Sequence, residues 1–125
     1  MSRIASLVTD AVLVVVFAVI GMSSHSETLS AAGIWHTAWP FLAGAAIGWV
    51  VVLITRRPGP GLLAGGIVWV STVVLGLIFR HLSNQGLSMP FPIIAAVVLA
   101  VFLLGWRFVA RLMMSQRARR PKVGV

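Results

Sequence analysis

Residues 4–23 read IASLVTDAVLVVVFAVIGMS, an apolar stretch interrupted by one acidic residue, Asp10. An α-helix rises 1.5 Å per residue, so about 20 residues cross the ~30 Å hydrocarbon core of a bilayer. Three further stretches have similar length and composition, at residues 39–55, 61–79 and 91–113. The sequence therefore predicts an all-α protein, a bundle of four transmembrane helices.

The overall composition supports a membrane protein of one domain. Hydrophobic residues make up 59% of the 125 residues and charged residues only 10%, which is too little charge for a soluble surface of this size. We expect a four-span membrane domain at residues 1–113 and a basic tail at residues 114–125. Asp10 stands where a signal peptide has its basic region, so we do not expect cleavage of the first span. The chain has no cysteine, which excludes disulfides and thiol catalysis.

The basic residues are distributed unequally between the two ends of the predicted spans. If the spans alternate in direction, nine of them share one side: Arg3, Arg56, Arg57, Arg107, Arg111, Arg117, Arg119, Arg120 and Lys122. Only Arg80 falls on the other side. Basic residues are retained in the cytoplasm during insertion, so we expect both termini inside a prokaryotic cytoplasmic membrane.

A net charge of +8 can indicate a nucleic-acid partner. Here the membrane topology explains where the basic residues lie, so we do not expect such a partner. Basic side chains near a membrane surface are attracted to anionic lipids by about 1 kcal/mol each. The tail therefore predicts contact with anionic lipid headgroups, with an acidic protein partner as the alternative.

The chain contains a candidate internal repeat. Residues 39–57 (WPFLAGAAIGWVVVLITRR) and residues 89–107 (MPFPIIAAVVLAVFLLGWR) share seven identical residues in nineteen. Two tandem parallel helical hairpins would produce this pattern, an arrangement that some transporters use. Shared membrane composition is the alternative.

Small residues predict where the helices approach each other. Lipid provides no hydrophobic force between helices, so close backbone contact has to hold them together. Gly44 and Gly48 form such a pair in the second span, and Gly61 and Gly65 form one in the third. We interpret these as packing faces within the bundle, or alternatively as a seam between two copies. Pro40 would mark the start of the second span, because a proline in the first turn loses no helical hydrogen bond.

Asp10 is the strongest candidate for a site. A carboxylate inside a span costs about 2.5–3.5 kcal/mol on insertion scales, so it needs a partner or a proton. Arg107 lies at a comparable depth in the fourth span, and Arg56 or Arg57 could also reach it. The pair Asp10–Arg107 is either a structural salt bridge or a coupling site for a proton or cation.

A second set of polar residues falls on the outer side: His25, Glu27, His36, Arg80 and His81. Histidines with a glutamate can bind transition metals, ligate haem or sense external pH. An anion site formed by Arg80 with His25 and His81 is an equal rival to a metal site. Because the spacing matches no metal motif and Arg80 opposes a cation, we assign no metal and no cofactor. The chain also lacks GxSxG, HExxH and Walker motifs, so we do not expect an enzyme.

The order of these residues resembles a family of small four-span prokaryotic membrane proteins known only as a domain of unknown function. The matching positions run from about residue 8 to residue 110: Asp10, Gly21, Ser24-His25, Trp39-Pro40-Phe41, Gly44, Gly48-Trp49, Gly66 to Trp69, Thr72-Val73, Gly76, Arg80 and Gly105-Trp106-Arg107. The resemblance implies the four-span architecture and carries no activity.

Two functions are compatible with these observations. One is an oligomeric transporter or channel-like protein for a small solute or ion, in which Asp10 and Arg107 form the inner coupling site. The other is a non-catalytic accessory or scaffold subunit of a larger membrane complex, which docks partner helices. The partners that we expect are therefore the lipid bilayer and either further copies of this chain or another membrane protein.

Overall fold

The computed structural model describes residues 2–24, 30–83 and 91–119 of the chain. Within these ranges the secondary structure consists of four α-helices and no strand: α1 (Arg3–Ser24), α2 (Ala31–Ile54), α3 (Leu62–Leu82) and α4 (Phe91–Arg119). Each helix contains a segment long and apolar enough to cross a membrane. The all-α, four-span prediction is confirmed, and the chain is a multi-pass membrane protein.

The helices form a ring in which each one packs against two neighbours. Helix α2 lies between α1 and α3, and α4 closes the ring by packing against α3 and α1. The α2–α3 contact is the most extensive and the α1–α4 contact is the sparsest. The ring therefore has one weak seam, between its first and last helices.

The tight α2–α3 contact depends on glycine. A Cβ atom on Gly44 would lie 2.8 Å from the carbonyl oxygen of Ser71, and one on Gly48 would lie 3.1 Å from Cα of Val68. The Ser71 hydroxyl donates a hydrogen bond of 2.6 Å to the Gly44 carbonyl oxygen. Gly61 instead caps the start of α3, where an added Cβ would meet only Pro58 of the preceding turn.

The start of α2 differs from the sequence prediction. The helix begins at Ala31, where the Ser30 hydroxyl accepts a 3.0 Å hydrogen bond from the backbone N–H of Gly33. Pro40 lies inside the helix and is buried, so its interpretation as a start signal was wrong. Serine at this position is a strong helix N-cap, and membrane helices tolerate an internal proline when neighbouring groups replace the lost hydrogen bond.

Apolar side chains from all four helices fill the centre of the bundle. Phe17 of α1 meets Phe41 of α2 edge to face, with ring centroids 5.2 Å apart. Gly76 of α3 makes room for Phe41, because a Cβ there would lie 2.5 Å from its ring. The nearby Thr72 hydroxyl is buried and has no hydrogen-bond partner among the described residues.

The turn between α2 and α3 begins with strained backbone. Arg56 has φ of 55°, the left-handed conformation that usually calls for glycine. The N–H of Arg56 donates to Leu53 and the N–H of Arg57 donates to Val52, which is the Schellman pattern of helix termination. This turn directs residues 58–60 back across the end of the bundle, where Gly59 is buried.

The last helix extends further than its predicted span. The structure continues α4 to Arg119, whereas the sequence placed the end of the membrane domain at residue 113. Much of the predicted basic tail is therefore helical backbone, and residues 120–125 lie outside the described residues. The two-hairpin duplication stays a prediction.

Candidate functional site

Asp10 and Arg107 form a buried ion pair across the weak α1–α4 seam. The guanidinium group meets the carboxylate in a two-pronged arrangement, Nη1 to Oδ1 and Nη2 to Oδ2, each at 2.7 Å. Both side chains are essentially inaccessible to solvent. This parallel geometry is the strongest form of arginine–carboxylate contact. Arg56 and Arg57, the other candidate partners, are exposed in the turn.

Two tryptophans complete the coordination of the carboxylate. Trp49 of α2 donates its indole N–H to Oδ2, and Trp106 of α4 donates its indole N–H to Oδ1, both at 2.9 Å. Each carboxylate oxygen therefore accepts two hydrogen bonds, which is its full capacity. The guanidinium carbon of Arg107 also lies 4.5 Å from the Trp106 ring centroid, within range of a cation–π interaction.

The remaining bonds of Arg107 go to the α2–α3 turn and to its own helix. Its Nε donates to the Gly59 carbonyl oxygen at 3.0 Å, and its Nη1 donates to the Leu103 carbonyl oxygen at 2.8 Å. A side chain on Gly59 would collide with Ser6 and approach Trp49, while one on Gly65 would collide with Arg107 itself. Both glycines are therefore needed for the close approach of the arginine, the turn and α1.

The spacing of buried residues explains why α1 and α4 present these groups to each other. Residues four apart lie on one helix face. The buried face of α1 contains Ser6, Asp10, Val14 and Ala18, and the buried face of α4 contains Ala95, Leu99, Leu103 and Arg107. Asp10 and Arg107 thus sit on the two apolar faces that close the ring.

The electrostatics of the pair determine its chemistry. Among the described residues, Asp10 and Arg107 are the only charged side chains that are buried. Removing a charge from water is costly, and mutual attraction offsets that cost only when the remaining donors and acceptors are satisfied. Here they are nearly all satisfied, so the pair is suited to fixing helix positions. Binding another ion at Asp10 would require Arg107 to withdraw.

A groove lies between α1 and α2 on the outside of the pair. Its volume is about 210 Å³, and it is lined by α1 from Leu7 to Ala11 and by α2 from Leu42 to Leu53. Asp10 is the only charged residue in this lining, and it is buried. Leu7 and Leu53 are 39% and 48% exposed, so the groove opens sideways on the outer surface of the bundle.

The described residues of the predicted outer cluster lie at the opposite end of the bundle. Trp39 stacks on Phe79 with ring centroids 6.3 Å apart, which places the end of α3 beside the first part of α2. Within that region His36 and His81 are exposed and Arg80 is half-buried. His25 and Glu27 lie outside the described residues. In the part of the chain that the structure describes, no three histidine or acidic side chains are grouped as metal ligands would be.

One protein family matches this arrangement of helices and polar residues. Its model, described as a protein of unknown function (DUF3054), matches residues 7–110. The chain belongs to this family. The matched region includes Asp10, Trp49, Trp106 and Arg107, so the whole ion-pair site lies within the DUF3054 domain. No curated protein and no solved structure matches the chain significantly.

Sequence reasoning did not identify every residue of the site. It did not name Trp106 as a partner of Asp10, but this side chain is partly buried and bonds to Asp10. It assigned no role to Gly59, whose carbonyl oxygen accepts a hydrogen bond from Arg107. A glycine between two prolines, Pro58 and Pro60, was the available signal that this turn has a defined shape.

Proposed function

We propose that this protein is a non-catalytic, structural subunit of a larger assembly in a prokaryotic cytoplasmic membrane. The observation that supports this proposal is that the only buried charges among the described residues already have partners. Asp10 and Arg107 bond to each other, to two indoles and to two carbonyl oxygens. No charged group in the described interior is left to bind a transported ion or a substrate.

The rest of the described interior supports the same proposal. Apart from the ion pair, its buried polar side chains are Ser6 and Thr72, and large apolar residues fill the centre. Ions and polar solutes cross membranes along polar groups that replace water. One copy of this bundle offers no such route through its described part, so a role through contact with other membrane proteins fits better.

The test of this proposal is the composition of the native particle. The tagged chain is extracted from its own membrane in mild detergent, and its mass is measured by native mass spectrometry. We expect a second polypeptide at a fixed ratio, linked to the apolar outer surface by residue-specific cross-linking. A homo-oligomer that conducts ions or solutes in liposomes would refute the proposal.

Transport by a homo-oligomer is the second candidate, and the α1–α4 seam favours it. This contact is the sparsest in the ring and is bridged by the ion pair, so its separation would expose both charges. In liposomes, wild-type flux that is lost in Arg107→Gln but retained in Arg111→Gln, an exposed arginine of the same helix, would support transport. Equal loss of folded protein in the flux-deficient variant would remove that support, so helicity is measured in parallel.

We further propose that both termini face the cytoplasm, which rests on the distribution of basic residues. The chain has no cysteine, so single introduced cysteines report topology without further engineering. We expect Ser83→Cys to react with a membrane-impermeant maleimide in intact cells. We expect Val125→Cys to react only after permeabilisation. The reverse labelling pattern would overturn this topology.

A further inference from the structure

The groove between α1 and α2 has the features of a lipid site. We propose that it binds one anionic phospholipid of the surrounding bilayer, with an acyl chain along the groove and the phosphate at Arg3, Arg56 and Arg57. This site is separate from the basic C-terminal tail. The proposal does not depend on whether the protein acts as a subunit or as a transporter.

The dimensions of the groove suit an acyl chain of one leaflet. Its α2 lining runs from Leu42 to Leu53, a rise of about 16 Å. Half of the ~30 Å hydrocarbon core is about 15 Å. The groove is also open sideways at Leu7 and Leu53, so a lipid can enter from the bilayer without unfolding the bundle.

Charge identifies the headgroup at the end of the groove. Arg3 lies one helical turn before Leu7, and Arg56 and Arg57 follow the end of α2 at the same end of the bundle. Their guanidinium groups present planar sets of N–H donors that match phosphate oxygens.

A specific contact holds two of these arginines together. The Nε of Arg3 donates a 3.1 Å hydrogen bond to the carbonyl oxygen of Arg57, which joins the start of α1 to the α2–α3 turn. This bond uses one of the five N–H donors of Arg3. The left-handed backbone at Arg56 sets the shape of the same turn. Arg3, Arg56 and Arg57 thus form a basic mouth of the groove. It is a defined structural feature that combines residues from two segments of the chain.

Nearby acidic groups do not neutralise this mouth. The sequence contains two acidic residues, and one of them, Asp10, is bound to Arg107. The other, Glu27, follows α1 at its opposite end in the sequence. Three positive charges beside an apolar groove are complementary to a lipid that has a negative phosphate and apolar chains, and they disfavour a neutral or cationic occupant.

The test measures lipid retention by the full chain. The protein is reconstituted into nanodiscs of phosphatidylcholine that contain a minor fraction of phosphatidylglycerol, released in the gas phase and analysed by native mass spectrometry. We expect one phosphatidylglycerol per chain to be retained. We expect Arg57→Gln to lower this retention about fivefold, the factor that corresponds to roughly 1 kcal/mol for one basic residue at a membrane surface.

Matched variants separate the site from general charge and general bulk. Arg111→Gln removes one exposed charge from α4. Arg111 lies seven residues, or about two helical turns, after Leu104, whose side chain faces α3. Because this face of α4 is away from the groove, the variant should retain the lipid. Ala46→Leu fills the groove and should release the lipid. Ala32→Leu adds the same bulk at an exposed position outside the groove and should have no effect.

Three outcomes would overturn the proposal. The first is equal retention of phosphatidylcholine and phosphatidylglycerol, and the second is equal loss from Arg57→Gln and Arg111→Gln. The third is a dimer without bound lipid that dissociates in Ala46→Leu, since a second copy would then occupy the groove. Arg57→Lys keeps the charge and should retain most of the lipid, which guards against loss through misfolding. Helicity of every variant is checked by circular dichroism.

Discussion

Replacement of Asp10 by asparagine tests the structural role of the ion pair most directly. The substitution preserves size but turns one acceptor oxygen into an N–H donor. That donor would face two existing donors, an Arg107 Nη–H and a tryptophan indole N–H, in a region without solvent access. Arg107 would then be a buried charge without a counter-ion.

The expected loss of stability follows from these unsatisfied groups. Removing one partner of a buried ion pair costs about 3–5 kcal/mol, and each buried polar group left without a partner costs about 1–3 kcal/mol. We therefore expect the free energy of unfolding to fall by about 3–5 kcal/mol in Asp10→Asn. Arg107→Met should cause a loss of similar size, because it leaves the carboxylate unpaired.

The double variant Asp10→Leu/Arg107→Met distinguishes pairing from simple damage. It buries no charge, so it should be more stable than Arg107→Met and Asp10→Asn, although two indole N–H groups and the Gly59 carbonyl oxygen lose their partner. A full cycle with Asp10→Leu should show a coupling energy of about 0.5–3 kcal/mol.

The assay is reversible unfolding of the full chain in mixed micelles with rising dodecyl sulfate, followed by far-ultraviolet circular dichroism. Trp69→Phe is the matched control, since it removes one indole hydrogen bond of 2.9 Å, to Ala96, away from the ion pair. It should cost about 1 kcal/mol. Two results would show that the ion pair does not stabilise the α1–α4 seam. One is a free energy of unfolding for Asp10→Asn within about 0.5 kcal/mol of wild type. The other is a double variant whose loss of stability equals the sum of the losses in Asp10→Leu and Arg107→Met.

The same unfolding assay tests three other features. Gly44→Ala should destabilise the bundle by about 1–3 kcal/mol, because the added Cβ would meet the backbone of α3. Gly66→Ala should be neutral or slightly stabilising, because a Cβ there would have nothing within 4 Å. Equal effects of the two substitutions would contradict the close α2–α3 contact. Arg56→Gly should raise the free energy of unfolding by about 1 kcal/mol because it relieves a left-handed backbone conformation, and a decrease would contradict strain at this turn. Trp49→Phe removes one of the four donors to Asp10 and should cost about 1.5–3 kcal/mol; no measurable change would show that the indole bond is dispensable.

The sequence predicted the elements better than their ends. Hydropathy over 20 residues is a local property, so it identified four spans before any contact was known. Helix termini depend on single groups such as the Ser30 hydroxyl, which starts α2 nine residues before Pro40. A proline that is typical of a helix start in a soluble protein can lie inside a membrane helix, and this led to the wrong boundary.

The candidate site could also be predicted in part from the sequence. An acid inside an apolar span requires a partner, so the sequence by itself determined that Asp10 would be paired or protonated. It also determined the four-span architecture and the concentration of basic residues at one end. These conclusions follow from the cost of placing a charge in hydrocarbon, which does not depend on how the helices are arranged.

Only the tertiary structure decided which groups meet Asp10. Three arginines were within reach by depth alone, and the packing selected Arg107 together with Trp49 and Trp106. The choice depends on how each helix is rotated about its axis. It also depends on the turn that places the Gly59 carbonyl oxygen within hydrogen-bonding distance of Arg107. The rotation of the helices is set by glycine contacts between residues far apart in the chain, such as Gly44 with Ser71 and Gly65 with Arg107, and no local pattern in the sequence contains that information.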